Sequence, residues 1–296
     1  MVMMIKSNKP LNLSQFLFSF YSKNMSEPQF SSVRKYGWKR DTSASTEPIR
    51  IFSVSRSQQA IPKVDLRPLC PPVYNQGNVG SCTANALAAA YQFDQTKEHF
   101  MPSRLFIYYE ERVLENTVHA DEGAEISSGI KVLKNKGVCP ETHATASATA
   151  SSVDMTWPYI EKKFDVQPNK ACYDFASKHT IKSYHRVTQS IPQLRQSLIK
   201  GFPVVFGFKV YSSFEGKEVE KTGILKMPKK EEQMCGGHAV LIVGYDDTME
   251  IEGVKGAFIV RNSWGDSWGD KGYFYMPYAY VVDNDLSSDF WSIISL

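Results

Sequence analysis

The stretch Gln76-Gly77-Asn78-Val79-Gly80-Ser81-Cys82-Thr83-Ala84-Asn85-Ala86-Leu87-Ala88-Ala89-Ala90-Tyr91 carries most of the fold information in this 296-residue chain. Gly77 and Gly80 punctuate a loop. From Ser81 to about Gln95 the alanines, with Leu87 and Tyr91, follow helical spacing, which predicts a buried helix with Cys82 in its first turn. The unpaired N–H groups and the dipole of that turn favour a thiolate. Gln76, six residues earlier, brings a side-chain amide that could join the Cys82 N–H in holding an oxyanion.

Outward from this helix the pattern changes from helical to extended. Ser103–Asn116 and Ser128–Lys136 read as two further helices, and a short one runs from Pro192 to Lys200 with Gly201 as its stop. Beyond it, Pro203–Val210, Ala239–Tyr245, Ala257–Val260 and Tyr273–Met276 are short runs of β-branched and aromatic residues set between Gly and Asp, which predicts strands. A helical half (about 61–190) followed by a β-rich half (about 191–296) argues for an α+β body of two lobes with a cleft between them. Ala144–Ser152 and Lys217–Lys230 read as exposed loops.

Two more segments bear polar residues where this architecture gives them chemistry. Gly236-Gly237-His238-Ala239-Val240-Leu241-Ile242-Val243-Gly244-Tyr245 places a histidine at the start of an apolar strand. Val260-Arg261-Asn262-Ser263-Trp264-Gly265 places an asparagine after another strand and beside a large aromatic. In isolation each has a bland explanation, a small-helix cysteine or a hydrogen-bonded core histidine.

Composition bounds the alternatives. With 42% apolar and 22% charged residues the chain is an ordinary globular protein, which excludes disorder, collagen and coiled coil. No run approaches the length of a membrane span. Leu11–Tyr21 follows Lys6 and Lys9 as a secretory signal would, yet polar residues interrupt it and no small-x-small cleavage site follows, which leaves that reading open. Residues 1–60 hold nine Lys or Arg against three Asp or Glu, so the net charge of +3 conceals a basic leader on a mildly acidic body. That asymmetry is too mild for nucleic acid. Five cysteines, Cys70, Cys82, Cys139, Cys172 and Cys235, are too few for a disulfide scaffold, and the odd count points to free thiols. Cys235-x-x-His238 and Cys139-x-x-x-His143 have metal-like spacing, but no second pair completes a site. Asn12-Leu13-Ser14 and Asn24-Met25-Ser26 match the glycosylation pattern, which matters only on secretion.

Taken together, the segments around Cys82, His238 and Asn262 resemble the papain family of cysteine peptidases from Ile61 to about Phe290. The resemblance implies a two-lobed papain-like fold with the active site in the cleft. Its implied catalytic set is Cys82 as nucleophile, His238 as base, Asn262 as orienter of the imidazole and Gln76 in the oxyanion hole, with Trp264 shielding the His238–Asn262 hydrogen bond. It also assigns substrate binding to Gly123, Ala124, Glu125, Ile126, Gly236 and Trp264, with Ile126, Gly236 and Ala239 lining an apolar pocket for the second side chain before the scissile bond.

The chain departs from the family's signature at Val79, where a cysteine is usual, and at Thr83, where an aromatic is usual. Asp121 stands near the position of the missing disulfide partner. These departures are similar to the low-disulfide branch of bacteria and large DNA viruses, and they favour a reducing compartment or a virus particle over a secretory or lysosomal setting.

The implied function is thiol-dependent hydrolysis of peptide bonds, with no cofactor or metal. The implied partners are a peptide or protein substrate and the chain's own N-terminal segment as inhibitor. Residues 1–60 read as a pro-segment and 61–296 as the peptidase domain, with Arg34, Lys35, Lys39 and Arg40 anchoring the leader while Ser53–Gln59 covers Cys82. The rivals are a papain-fold binding protein without activity and an acyl transferase using the same Cys-His-Asn site. Endopeptidase and exopeptidase action both stay open.

Overall fold

In the computed structural model the described residues are 34–42, 47–53, 60–95, 99–142 and 154–294. The readings of Leu11–Tyr21, of the Asn12 and Asn24 triplets, of Ala144–Ser152 and of residues 54–59 fall outside them. Lys35–Leu296 forms one compact unit.

The alanine-rich stretch is helix α1, Cys82–Phe93, buried from Cys82 to Tyr91. Its small side chains let neighbouring backbones approach closely. Helices α2 (Arg104–Glu115) and α3 (Ile126–Asn135) pack against it. Ser103 caps α2, its Oγ accepting the Phe106 N–H at 3.1 Å, and Asn116 ends the helix in the left-handed conformation. All three helices match the sequence reading to within a few residues. Helix α4 (Lys170–Ala176) was not foreseen: seven residues are too few to show a period, and its signal is only Asn169, whose Oδ1 accepts the Cys172 N–H. Helix α5 (Ile191–Ile199) ends just before the predicted stop at Gly201.

The C-terminal part is built on an eight-stranded sheet. Its strands are β2 (Ile49–Arg50), β3 (Lys63–Asp65), β5 (Ser183–Val187), β6 (Val204–Tyr211), β7 (Met234–Ile251), β8 (Val254–Arg261), β9 (Tyr273–Pro277) and β10 (Ser287–Ile294). They run in the order β2-β5-β10-β6-β7-β8-β9, with β3 paired to β7. β7 extends well beyond the apolar run that announced it. Register shifts at Ile242/Gly244 and Asp246/Glu250 let one strand serve β6, β3 and β8 in turn. A separate parallel pair joins β1 (Trp38–Lys39) to β4 (Ala124–Glu125). Within the predicted loop 217–230, Lys217–Thr222 forms a short helix, α6, anchored by buried Val219 and ended at Gly223. A last helix, α7, spans Tyr278–Val282. No helix among the described residues is long and apolar enough to cross a membrane.

Two apolar cores flank the sheet. One gathers α1, α2 and α3 against Leu241, Val243, Ile259 and Trp291; the other packs Phe206, Phe208, Phe214, Phe258 and Phe274 on the opposite face. Arg104, at the start of α2, is buried between them and the loop before α1. It pairs with Glu141 at 2.7 Å, donates to Asn75 O and Asn85 Oδ1, and lies 3.9 Å from the Tyr159 ring centroid. Removing one partner strands a buried charge. Glu141→Ala should therefore destabilise the fold by about 3–5 kcal/mol in urea unfolding, far more than deletion of an exposed pair such as Lys170–Asp174.

Candidate active site

Cys82 begins α1 and is fully buried, its Sγ receiving the Ala239 N–H of β7 at 3.4 Å. His238, also fully buried, precedes that residue. Its Nε2 and Asn262 Oδ1 are 2.8 Å apart, and the same Oδ1 accepts the Ser263 N–H at 2.8 Å, which fixes the amide. Trp264 stacks on the imidazole, with ring centroids 5.0 Å apart and planes 27° apart. Phe208, Phe214 and Tyr36 complete an aromatic wall around it. Gln76 lies at the same place: its Oε1 accepts Ser263 Oγ at 2.6 Å, and its Nε2 donates to Val79 O at 3.0 Å and to Lys35 O at 3.4 Å. Thus the helix, the strand and the two loops bring Gln76, Cys82, His238, Asn262 and Trp264 to one cleft. Ser263, which holds the Gln76 carbonyl oxygen, was not singled out from sequence. Its only signal was its place between Asn262 and Trp264.

The departures at Val79 and Thr83 are filled by hydrogen bonds. Asp121 accepts from Gly80 N–H at 2.9 Å and from Tyr108 OH at 2.6 Å, so a carboxylate ties the loop before Cys82 where a disulfide is missing. Thr83 Oγ1 donates to Glu111 at 2.8 Å. Burial pushes the Glu111 carboxyl well above the usual range. None of the five cysteines is in a disulfide.

The segment just before β1 lies on this site. Gly37 is squeezed between two glycines: a Cβ on it would come within 1.7 Å of Gly80 O, and one on Gly123 (φ +78°) within 1.9 Å of Gly37 O. The Gly37 carbonyl accepts the Ala124 N–H at 2.7 Å, and Trp38 and Lys39 pair in parallel with Ala124 and Glu125. Tyr36 packs on Gly236 and Trp38 on Gly237. Hence Gly123, Ala124, Glu125, Gly236 and Trp264 all meet the Tyr36–Lys39 segment or its surroundings, while Ile126 is buried at the start of α3. Glu125 is half-buried rather than a fully solvated carboxylate, with Thr42 and Ser127 donating to it. The described residues that lie over Cys82 are Lys35–Trp38; the expectation that Ser53–Gln59 cover it falls on 54–59, outside the described residues. Of the expected anchors, Lys35 pairs with Asp121 and Lys39 with Glu115.

Enclosure sets the state of the thiol. Burial pushes the Cys82 pKa up to about 12, and the N–H groups of Ala239 and Gly37 offset that only in part. Enclosure thus favours the thiol over the thiolate, against the pull of the first turn of the helix.

Comparison with known proteins follows the geometry. The model of the papain family of cysteine proteases matches residues 61–288, and the chain belongs to that family. An uncharacterised peptidase C1-like protein of Acanthamoeba polyphaga mimivirus is 46% identical over 231 residues, covering 74% of this chain and 68% of its own length. The cathepsin B-like cysteine proteinase 3 of Ostertagia ostertagi is 37% identical over 101 residues, which is 33% of this chain and 52% of that protein. Among solved structures, xylellain, a cysteine protease from Xylella fastidiosa, matches with a TM-score of 0.74 and 40% identity over 89% of this chain and 97% of that one. The viral and bacterial relatives agree with the branch implied by the missing cysteine at Val79.

The enclosure predicts slow alkylation. In the full chain at neutral pH, iodoacetamide should modify Cys82 slowly. Gly37→Ala, whose methyl group collides with Gly80, should accelerate it by about tenfold or more, the factor that 1.4 kcal/mol of lost docking supplies. Peptide mapping by mass spectrometry reads both rates site by site.

Proposed function

We propose that the chain is a thiol-dependent peptidase that hydrolyses peptide bonds through a Cys82 acyl-enzyme and is made as a latent precursor, with Lys35–Lys39 occupying the cleft. One observation carries this reading: Cys82, the His238–Asn262 pair and the Gln76 amide converge on a single groove already filled by an extended stretch of polypeptide.

The chemistry follows from the placement. Asn262 Oδ1 holds the imidazole by Nε2, so transfer of the Cys82 proton falls to Nδ1. The thiolate attacks the substrate carbonyl carbon, and its oxygen, now negative, is held by the Gln76 Nε2 and the Cys82 N–H. The imidazolium returns its proton to the leaving amine. Water activated by His238 then attacks the thioester, releasing the acid and regenerating the thiol. Trp264 and the phenylalanines keep water from the His238–Asn262 bond, which would contribute little if solvated.

In the covered state Gly37 turns its N–H toward Cys82 and its carbonyl toward Ala124, and Gln76 Nε2 donates to Lys35 O at 3.4 Å. The leader blocks by occupying the groove and engaging the oxyanion donor.

Five variants test the assignment. Cys82→Ser should abolish hydrolysis while leaving thermal unfolding unchanged, because the swap is nearly isosteric. Gln76→Ala should lower kcat by about ten- to a thousandfold with little change in KM, as removal of an oxyanion donor does. Asn262→Ala should cost less than His238→Ala, which removes a base worth about 10²–10⁴-fold. In the full chain, Gly37→Ala should raise the initial rate on a peptide pool; if intact wild type is equally active, latency is refuted and the peptidase reading stands.

Latency should also depend on pH. Asp41 follows β1 and its carboxyl is raised to about 7, first by burial and then by Asp289, with Glu125 adding to the rise and Ser127 opposing it. A carboxyl whose pKa rises on docking contributes docking free energy that is complete below its free value of 3.8 and fades as pH climbs through about 7. The ratio of Cys82 alkylation rates, wild type over Gly37→Ala, should therefore rise between pH 4 and 7, and Asp41→Asn should flatten it.

A further inference from the structure

A single phenol hydroxyl lies behind the oxyanion donors. Tyr159, in the loop between α3 and α4, donates its O–H to the main-chain carbonyl of Gln76 at 2.7 Å, and its oxygen also lies 2.7 Å from Ser81 Oγ. A carbonyl oxygen can only accept, so the one phenol proton goes to Gln76 and Ser81 must donate to Tyr159. Ser81 Oγ in turn accepts from Asn85 Nδ2 at 3.0 Å, and Asn85 Oδ1 accepts from Arg104 Nη1 at 3.0 Å. Every hydrogen in this relay points one way, from the guanidinium paired with Glu141 to the carbonyl of Gln76. Ser81, Asn85 and Arg104 are all buried, and the charge at the head of the relay strengthens the links that follow.

The residues that Tyr159 joins carry the oxyanion donors. Gln76 supplies its side-chain amide, and Ser81 directly precedes Cys82, which supplies its N–H. Between them runs Gly77-Asn78-Val79-Gly80, a loop with a glycine at each end and no disulfide across it. Its own turn bond, from the Val79 N–H to Gln76 O, is long at 3.5 Å. The phenol bridges the two ends instead. On its other side Gln76 is held by Ser263, whose main-chain oxygen accepts the Gln76 N–H at 2.9 Å and whose Oγ donates to Oε1 at 2.6 Å. Nε2 is thereby left to reach the groove, where it meets Lys35 O. Burial pushes the Tyr159 pKa up to about 12, against the pull of Ser81, Arg104 and Asn85, so the bridging proton stays in place.

We propose that Tyr159 is a positioning residue whose hydroxyl sets the spacing of the two oxyanion donors, Gln76 Nε2 and the Cys82 N–H. This rests on the peptidase reading above. Tyr159 acts through Gln76 and Ser81. The substrate oxygen gains its negative charge only on the way to the tetrahedral intermediate, so donors held at the wrong spacing cost turnover rather than binding. The ring and the hydroxyl have separate tasks. Stacked on Arg104 at 3.9 Å, the ring fixes the loop 157–159 on the helical part, and the hydroxyl passes that position on to the donors.

The test uses the full chain carrying Gly37→Ala and a quenched-fluorescent peptide drawn from the pool that this chain cleaves. Tyr159→Phe keeps the ring over Arg104 and removes the hydroxyl alone. It should lower kcat by about ten- to a hundredfold with KM little changed, as a small misplacement of catalytic groups does. Alkylation of Cys82 by iodoacetamide is the control. There the sulfur displaces iodide and no charge builds on an oxygen, so Tyr159→Phe should keep the parent's rate. In a chain that already carries Gln76→Ala, Tyr159→Phe should cost less than it does beside an intact Gln76, because one of the donors it positions is gone. Thermal unfolding verifies that each variant is folded. A kcat for Tyr159→Phe equal to the parent's, an equal fall in kcat and in alkylation, or an undiminished cost beside Gln76→Ala overturns this proposal and leaves the peptidase reading intact. No cleavage of any peptide by a folded parent whose Cys82 alkylates overturns both.

Discussion

The structure depends on how closely stretches of backbone approach one another around one sulfur atom. Cys82 Sγ receives the N–H of Ala239, and the Gly37 N–H also points at it, while Gly80 and Gly123 press on Gly37 from either side. Such contact is possible only where side chains are small. The alanines of α1 let β7 lie against the helix, and that is what sets His238 beside a cysteine far away in sequence. A larger residue at Ala86, Ala89 or Ala239 would separate helix from strand and so separate thiol from imidazole, whatever became of the individual side chains. Close packing transmits such a shift because interiors have little free volume to absorb it.

The loop before the helix is held without covalent help. Asp121 binds Gly80 N–H and Tyr108 OH, and Arg104 ties Asn75 to Glu141. A disulfide would act mainly on the unfolded chain. This clamp instead acts in the folded state and depends on ionised groups being kept from water. That explains why so many charged side chains are buried in the helical part, among them Arg104, Glu110, Glu111 and Arg112, with no metal-binding cluster of His, Cys, Asp or Glu among the described residues.

How much of this was legible follows from the range of each interaction. Helix α1 and strands β6 and β8 carry their period or their bulk within a few residues, and Cys82, His238, Asn262 and Gln76 lie at ends that local punctuation marks. Asn169 capping α4 and the strand β5 gave little local signal, because seven residues or a half-buried Ser183–Val187 depend on what packs against them. The length of β7 was also hidden: its polar end, Asp246–Glu250, is extended because β3 and β8 pair with it, not because of its own pattern. The hold of Lys35–Lys39 on the site was hidden for a related reason. Its grip comes from Gly37 and Trp38 matching glycines in distant segments, and a complementarity of small residues leaves no periodicity to read.

That complementarity also distinguishes a covering segment from a substrate. Any extended chain can pair with β4, since a strand edge recognises backbone without regard to sequence. What the sulfur requires is a carbonyl carbon whose oxygen reaches the Gln76 amide. At Gly37 the carbonyl is turned to Ala124 and the N–H faces the thiol, while the oxygen at the Gln76 amide is that of Lys35, so the covering chain uses up the groove's hydrogen bonds. The Gly37 N–H pulls the Cys82 pKa down, but burial pushes it up by more, so the enclosed site favours the thiol over the thiolate.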